Sequence, residues 1–227
     1  DFAFRTATPF VDVQAGIDLE VAIAPSTSTN VSDALASFSY DPAAGEIYTL
    51  VANGIVSASG YSPVQPFDIY VYAGSREAAT SGASNTDILV FHGATDAPVV
   101  DVAETAVLAG ATLVNDLAYG EFDGYLEVPT NDYVLEVQLA DGTPVVAYQA
   151  PLSTLNLDGA ALTVLASGFL TPANNGNGAA FGLWVALPAG GDLLELPLAT
   201  SVEENSLIAN AIAWPNPAND VLNVSIE

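Results

Sequence analysis

One histidine, His92, stands in a 227-residue chain that carries 27 carboxylates and only two cations, Arg5 and Arg76. Asp96 and Asp101 follow it closely, so an imidazole and two carboxylates share one turn. That set is the minimum for acid–base or metal chemistry. A zinc centre takes three or four protein ligands, however, and one histidine falls short of it. The spacing predicts a turn in which the carboxylates accept backbone N–H groups and the imidazole completes the network. Calcium takes oxygen ligands, which are abundant here. Its candidate ligands are Asp116, Glu121 and Asp123, with Asp41 and Glu46 as a second pair, although no Asp-x-Asp-x-Asp-Gly loop occurs. Tyr70, Tyr72 and Trp184 offer aromatic faces for sugar stacking, or else core and cross-strand pairs within sheets. No serine has a recognisable partner base and no cysteine exists, so no enzyme and no resident cofactor are predicted.

The charge balance narrows the partners. A formal charge of −25 without a single lysine repels phosphate backbones and anionic lipid heads, which excludes nucleic acid and membrane surfaces. With 51% hydrophobic residues the chain can nonetheless bury a core, and disorder is not expected. No apolar run reaches the ~20 residues of a membrane helix, so no membrane insertion is predicted. Without cysteine there is no disulfide framework, and stability must come from packing or assembly. The chain opens on Asp1 rather than methionine, which points to a processed or excised product.

Two blocks of sequence repeat. Ile17, Leu19, Val21 and Ile23 match Tyr133, Leu135, Val137 and Leu139. Tyr48-Thr-Leu-Val-Ala-Asn-Gly54 matches Leu162-Thr-Val-Leu-Ala-Ser-Gly168, and Phe67-Asp-Ile-Tyr-Val71 matches Phe181-Gly-Leu-Trp-Val185. The offsets are 116, 114 and 114 (133−17, 162−48, 181−67), a nearly fixed register over separated segments. Asp1-Phe-Ala-Phe4 also resembles Asp116-Leu-Ala-Tyr119. Apolar and polar residues alternate with the period of strands, and Asp-Gly, Asp-Pro and Asn-Asp pairs mark the turns. The expected fold is all-β: two tandem immunoglobulin-like antiparallel sandwiches over residues 1–81 and 82–201, with a tail at 202–227. The polar stretch 75–84 reads as the linker between them.

Phe91-His-Gly-Ala-Thr-Asp-Ala-Pro-Val-Val-Asp-Val102 resembles the opening motif of the DUF4397 family of bacterial surface domains. Tyr125-Leu-Glu-Val-Pro-Thr-Asn-Asp-Tyr133 and the segment at 162–168 resemble its later turn and strand, and the first block repeats them at 10–16 and 48–54. The sequence departs from the family pattern at Gly93 and Thr95. The resemblance implies a secreted or surface β-sandwich, commonly in tandem, with no enzymatic activity. Ala213-Trp-Pro-Asn-Pro-Ala-Asn-Asp-Val-Leu-Asn-Val-Ser-Ile226 resembles the start of the C-terminal sorting domain of type IX secretion cargo. It implies the exterior of a Bacteroidota-like bacterium.

By the offset, the counterpart of residues 85–102 would precede Asp1, so the first sandwich is expected to lack its opening strands. The tail offers a strand with Leu222, Val224 and Ile226 on one face and Asn223, Ser225 and Glu227 on the other. The predicted function is a non-enzymatic structural or adhesive protein whose copies join head to tail into filaments, the tail strand of one filling the vacancy of the next. The alternative is a glycan- or calcium-binding accessory module of a larger exported protein.

Overall fold

The computed structural model describes residues 3–57, 59–199, 211–214 and 223–226, the last two segments as strand backbone. Alternating apolar and polar residues give strands with one face inward. The first repeat supplies β1 (Thr6–Ala7), β2 (Leu19–Ile23), β3 (Ala36–Tyr40), β4 (Tyr48–Asn53) and β5 (Asp68–Ala73). β2 and β3 form one antiparallel hairpin and β4 and β5 another. Phe38 of β3 meets Phe67, next to β5, at 6.2 Å between ring centroids, so the two hairpins face each other.

The second repeat is a whole sandwich. Its strands are β6 (Asn85–His92), β7 (Val100–Glu104), β8 (Ala111–Leu117), β9 (Phe122–Pro129), β10 (Asp132–Leu139), β11 (Pro144–Pro151), β12 (Ala161–Ser167) and β13 (Gly182–Ala186). Short β14 (Gly191–Asp192) and β15 (Leu194–Glu195) follow. One sheet runs β11-β10-β7-β8 and the other β15-β13-β12-β6-β9. Ile88, Val137, Tyr148, Val164 and Val185 meet between them as one core. The all-β expectation is borne out. The ladders are antiparallel as expected except for one pair, β6 and β12, which run parallel. β6 and β7 belong to opposite sheets, so β6 is free to insert between β9 and a strand distant in sequence. Beyond this unit, β16 (Ala211–Trp214) and β17 (Asn223–Ile226) pair antiparallel with each other.

The repeat is visible in the ladders themselves. Thr49 opposes Tyr72 and Thr163 opposes Ala186, so the β4–β5 and β12–β13 registers coincide after a shift of 114. Leu19 opposes Tyr40 as Leu135 opposes Tyr148, the first hairpin merely having the longer loop. β2 to β5 thus correspond to β10 to β13. Among the described residues nothing in the first unit corresponds to the paired strands β6 to β9. Residues 10–13, which match part of β9, form no ladder, since the strand that would pair with them is missing. β1 instead pairs with β14, so the first residues run along the second unit rather than within 1–81 as expected.

Candidate functional site

Beside β2 and β4 lies a cleft of about 1440 Å³, walled on its far side by residues of the second unit such as Thr163 and Leu165. Leu19, Val21 and Ile23 of β2 line it from one side, and Tyr48 and Leu50 of β4 from another. Leu19, Val21, Tyr48 and Leu50 have counterparts in the core of the second unit, namely Leu135, Val137, Leu162 and Val164. Leu50 is 40% exposed, whereas its counterpart Val164 is 6% exposed. β2 pairs only with β3 and β4 only with β5 among the described strands, so each hairpin presents an open edge. An apolar surface beside unpaired N–H and C=O groups is a template for a further strand. The chemistry offered is backbone pairing plus hydrophobic burial.

The outer face of β4–β5 rests on the outer face of β6 and β9. Tyr70 packs on Phe91 at 5.3 Å and edge-on to Tyr119 at 5.9 Å, while Tyr72 meets Phe122 and Tyr125. Leu89 and Phe91 are fully buried as a result, which gives β6 apolar burial on both faces. Both arginines reinforce this junction. Nη1 of Arg76 donates to Asp87 and to Glu127, each at 2.6 Å, and its guanidinium covers Tyr125. Arg5 donates to Ser167 Oγ and to the Ser167 and Ala180 carbonyls, with its guanidinium 3.9 Å above Trp184. The stretch 75–84 is therefore no free linker. Thr80 N–H, the Thr80 hydroxyl and the Ser81 hydroxyl all donate to the buried carboxylate of Asp87.

Two carboxylates that the sequence reading passed over are the most constrained groups here. Burial alone would raise the pKa of Asp87, but hydrogen bonds from Ser81, Thr80 and Arg76 outweigh it and hold the group below its usual range. Glu104 is also fully buried, and no cation faces it. Backbone N–H groups of Ala106, Val107, Leu108 and Val134 converge on it, and they too outweigh burial and lower its pKa. The signal for Asp87 was an acid leading directly into an apolar run, in a chain with only two arginines. For Glu104 the sequence held no comparable signal, since its partners are main-chain.

The residues singled out from sequence fall into place differently. His92 is buried, its Nε2 donates to the Pro98 carbonyl at 3.0 Å, and burial pushes its pKa down. Asp96 accepts the N–H groups of Leu170 and Thr171 and the Asn175 amide, while Asp101 accepts the Asp116 N–H. This is the capped turn, not an acid–base cluster. Of the calcium candidates Asp116, Glu121 and Asp123, the first two are engaged locally. Glu121 caps Ala118, Asp116 takes the Asn115 amide, and no group of three such side chains gathers among the described residues. Asp41 and Glu46 assemble no site either. Of the two readings of the aromatics, ring packing is the one seen: Tyr70 and Tyr72 are spent on the junction and Arg5 covers Trp184. Leu222 lies outside the described residues. Val224 and Ile226 belong to β17, which pairs with β16 and not with β4 or β2. Comparison with family models, curated proteins and solved structures returned no match.

Proposed function

We propose that the chain is a non-enzymatic structural or adhesive module of an exported bacterial protein, whose first unit takes up a further strand at its open edges by strand addition. The contrast between Leu50 and Val164 carries this reading, because matched core positions are open in one unit and sealed in the other. The exterior location rests on the DUF4397-like motif at 91–102 and the sorting-domain-like segment at 213–226. A non-enzymatic role fits the sole histidine, whose Nε2 proton is committed to the Pro98 carbonyl. The strongly acidic surface keeps such a module soluble while its apolar cleft selects partners.

Light scattering after size exclusion, with a hydrophobic dye as a second readout, tests the reading. The isolated chain is expected to gain mass with concentration and to light up the dye, and Leu50→Lys should reduce both. A chain that stays monomeric from micromolar to millimolar and leaves the dye dark would overturn it.

A further inference from the structure

We infer that the strand completing the first unit is of the β6 type: apolar on both faces, parallel to β4, and followed by a turn and a second strand antiparallel to β2. This rests on the strand-addition reading and names the partner's chemistry. The first support is register. In the second unit Ile88 and Val90 of β6 stand beside Leu162 and Val164 of β12. The counterparts of those β12 residues are Tyr48 and Leu50, which line the cleft. Val102 and Val100 of β7 stand beside Val137 and Leu139, whose counterparts Val21 and Ile23 line it too.

The second support is the way the units meet. Across an isologous interface every contact recurs with the partners exchanged. Gly120 approaches Tyr70 so closely that a Cβ would lie 2.5 Å from the ring, while Arg5 covers Trp184. Trp184 is the counterpart of Tyr70, and Arg5 follows the Asp1-Phe-Ala-Phe4 block as Gly120 follows Asp116-Leu-Ala-Tyr119. Both residues have positive φ, 59° and 82°. Tyr61 and Asn175 are counterparts as well, and their loops touch where Ser62 N–H donates to Asn175 Oδ1. The tandem is thus built like a two-fold pair. In such a pair the outer face of β6, lying under Tyr70, requires an equivalent strand lying on the outer face of β12 and β13. Thr163, Leu165 and Ala186 of that face line the cleft.

An occupant is therefore pressed between two apolar surfaces. β6 meets the demand, with Ile88 and Val90 inward and Leu89 and Phe91 outward. The tail does not. Its sequence sets Asn223, Ser225 and Glu227 opposite Leu222, Val224 and Ile226, and burying those polar groups without partners is unfavourable.

The test adds synthetic peptides to the 227-residue chain: residues 84–104, the same peptide with Leu89→Ser and Phe91→Ser, and residues 219–227. Native mass spectrometry and fluorescence anisotropy read stoichiometry and Kd. The unmodified 84–104 peptide is expected to bind one to one and, at about a hundredfold over Kd, to raise the melting temperature by about 5 °C or more. The serine variant and the tail peptide are expected to bind at least about tenfold more weakly, the cost of one or two buried apolar side chains. Equal binding by the serine variant, or tighter binding by the tail, overturns the inference while the strand-addition reading stands. Should the free peptide aggregate, residues 84–104 fused ahead of Asp1 through a glycine-serine linker give the same answer. The fusion is expected to be monomeric, dark to the dye and more stable; one that still associates and binds dye as the parent chain does overturns the inference. If no peptide binds and the chain alone neither associates nor binds dye, both fall.

Discussion

Val71 and Val185 hold the same ladder position 114 residues apart, yet Val71 is 38% exposed and Val185 only 1%. Their side chains are identical, so the difference isolates what the missing strands contribute. Val185→Ala leaves a void in a closed core and is expected to cost about 2 kcal/mol. Val71→Ala should cost less than about 1 kcal/mol, since water already reaches the site. Urea unfolding of both variants measures the two costs, and equal losses would mean the first unit is closed in solution. With the 84–104 peptide bound, the Val71 cost should rise toward that of Val185.

Acid is expected to weaken the fold in two stages. His92, held neutral by burial, has a folded pKa below the unfolded value of about 6.5. Its contribution is complete above that value and declines as pH falls below it. Asp87 and Glu104 are held below their unfolded values, about 3.9 and 4.3, by hydrogen bonds that outweigh burial. Their contribution is present above those values and is lost as pH falls through the folded ones. Asp123, which burial pushes up, acts in the opposite sense but alone. Urea midpoints should therefore be level from about pH 7 until unfolded tyrosines begin to ionise toward about pH 10, dip gently below 6.5 and fall steeply below about 4. Glu104→Gln should lower the neutral-pH midpoint and flatten the steep acid limb; an unchanged limb would remove Glu104 from this account.

The ladders were legible because period-two alternation and a fixed offset are local properties of the chain. Leu135, Val137 and Leu162 could be assigned inward from their neighbours alone. The open cleft was legible too, since no segment within 1–81 matches 85–102. The junction was not, because nothing in the order of residues shows that Tyr70 and Tyr72 turn toward Phe91 and Phe122 of the other unit. That placement is tertiary, and it is why the sequence left sugar stacking and aromatic pairing both open for these residues. The carboxylates near residue 120 were hard to place for a related reason. Asp116, Glu121 and Asp123 are close in sequence, but an Asp116 in positive φ and a carboxylate of Glu121 turned back onto Ala118 do not converge.

Arg76 is expected to carry the junction between the units. Its removal by Arg76→Ala leaves Asp87 buried with only hydroxyl and N–H donors, and breaking a buried pair costs about 3 kcal/mol or more. Glu127, bonded to the same nitrogen but 44% exposed, should matter by less than about 1 kcal/mol when changed to alanine. A double-mutant cycle of Arg76→Ala with Asp87→Ala separates the pair from its surroundings. Limited proteolysis adds a structural readout, because freeing Thr80 and Ser81 should expose the stretch 75–84 to cleavage. Losses of equal size for Arg76→Ala and Glu127→Ala would contradict the assignment.

Gly54 and Gly168 offer a test of the repeat that does not depend on the cleft. Both end the equivalent strand with positive φ, +105° and +96°, a conformation disfavoured for side chains with a Cβ. A methyl group at Gly54 would lie 2.3 Å from the Pro66 carbonyl oxygen, and one at Gly168 would lie 2.2 Å from that of Ala180. The chain must pass this closely because Ile55 bridges to Pro66 and Phe169 bridges to Ala180. Neither carbonyl belongs to a flexible side chain, so the backbone itself must shift. Gly54→Ala and Gly168→Ala are each expected to cost about 2 kcal/mol or more, combining strain with overpacking. Gly45→Ala, with positive φ but open space around it, isolates the conformational part and should cost about 1 kcal/mol. Denaturant unfolding of the three variants decides it. Similar losses at 54 and 168, both well above that at 45, support one shared turn; a harmless alanine at either would separate the two units at the point where their sequences match best.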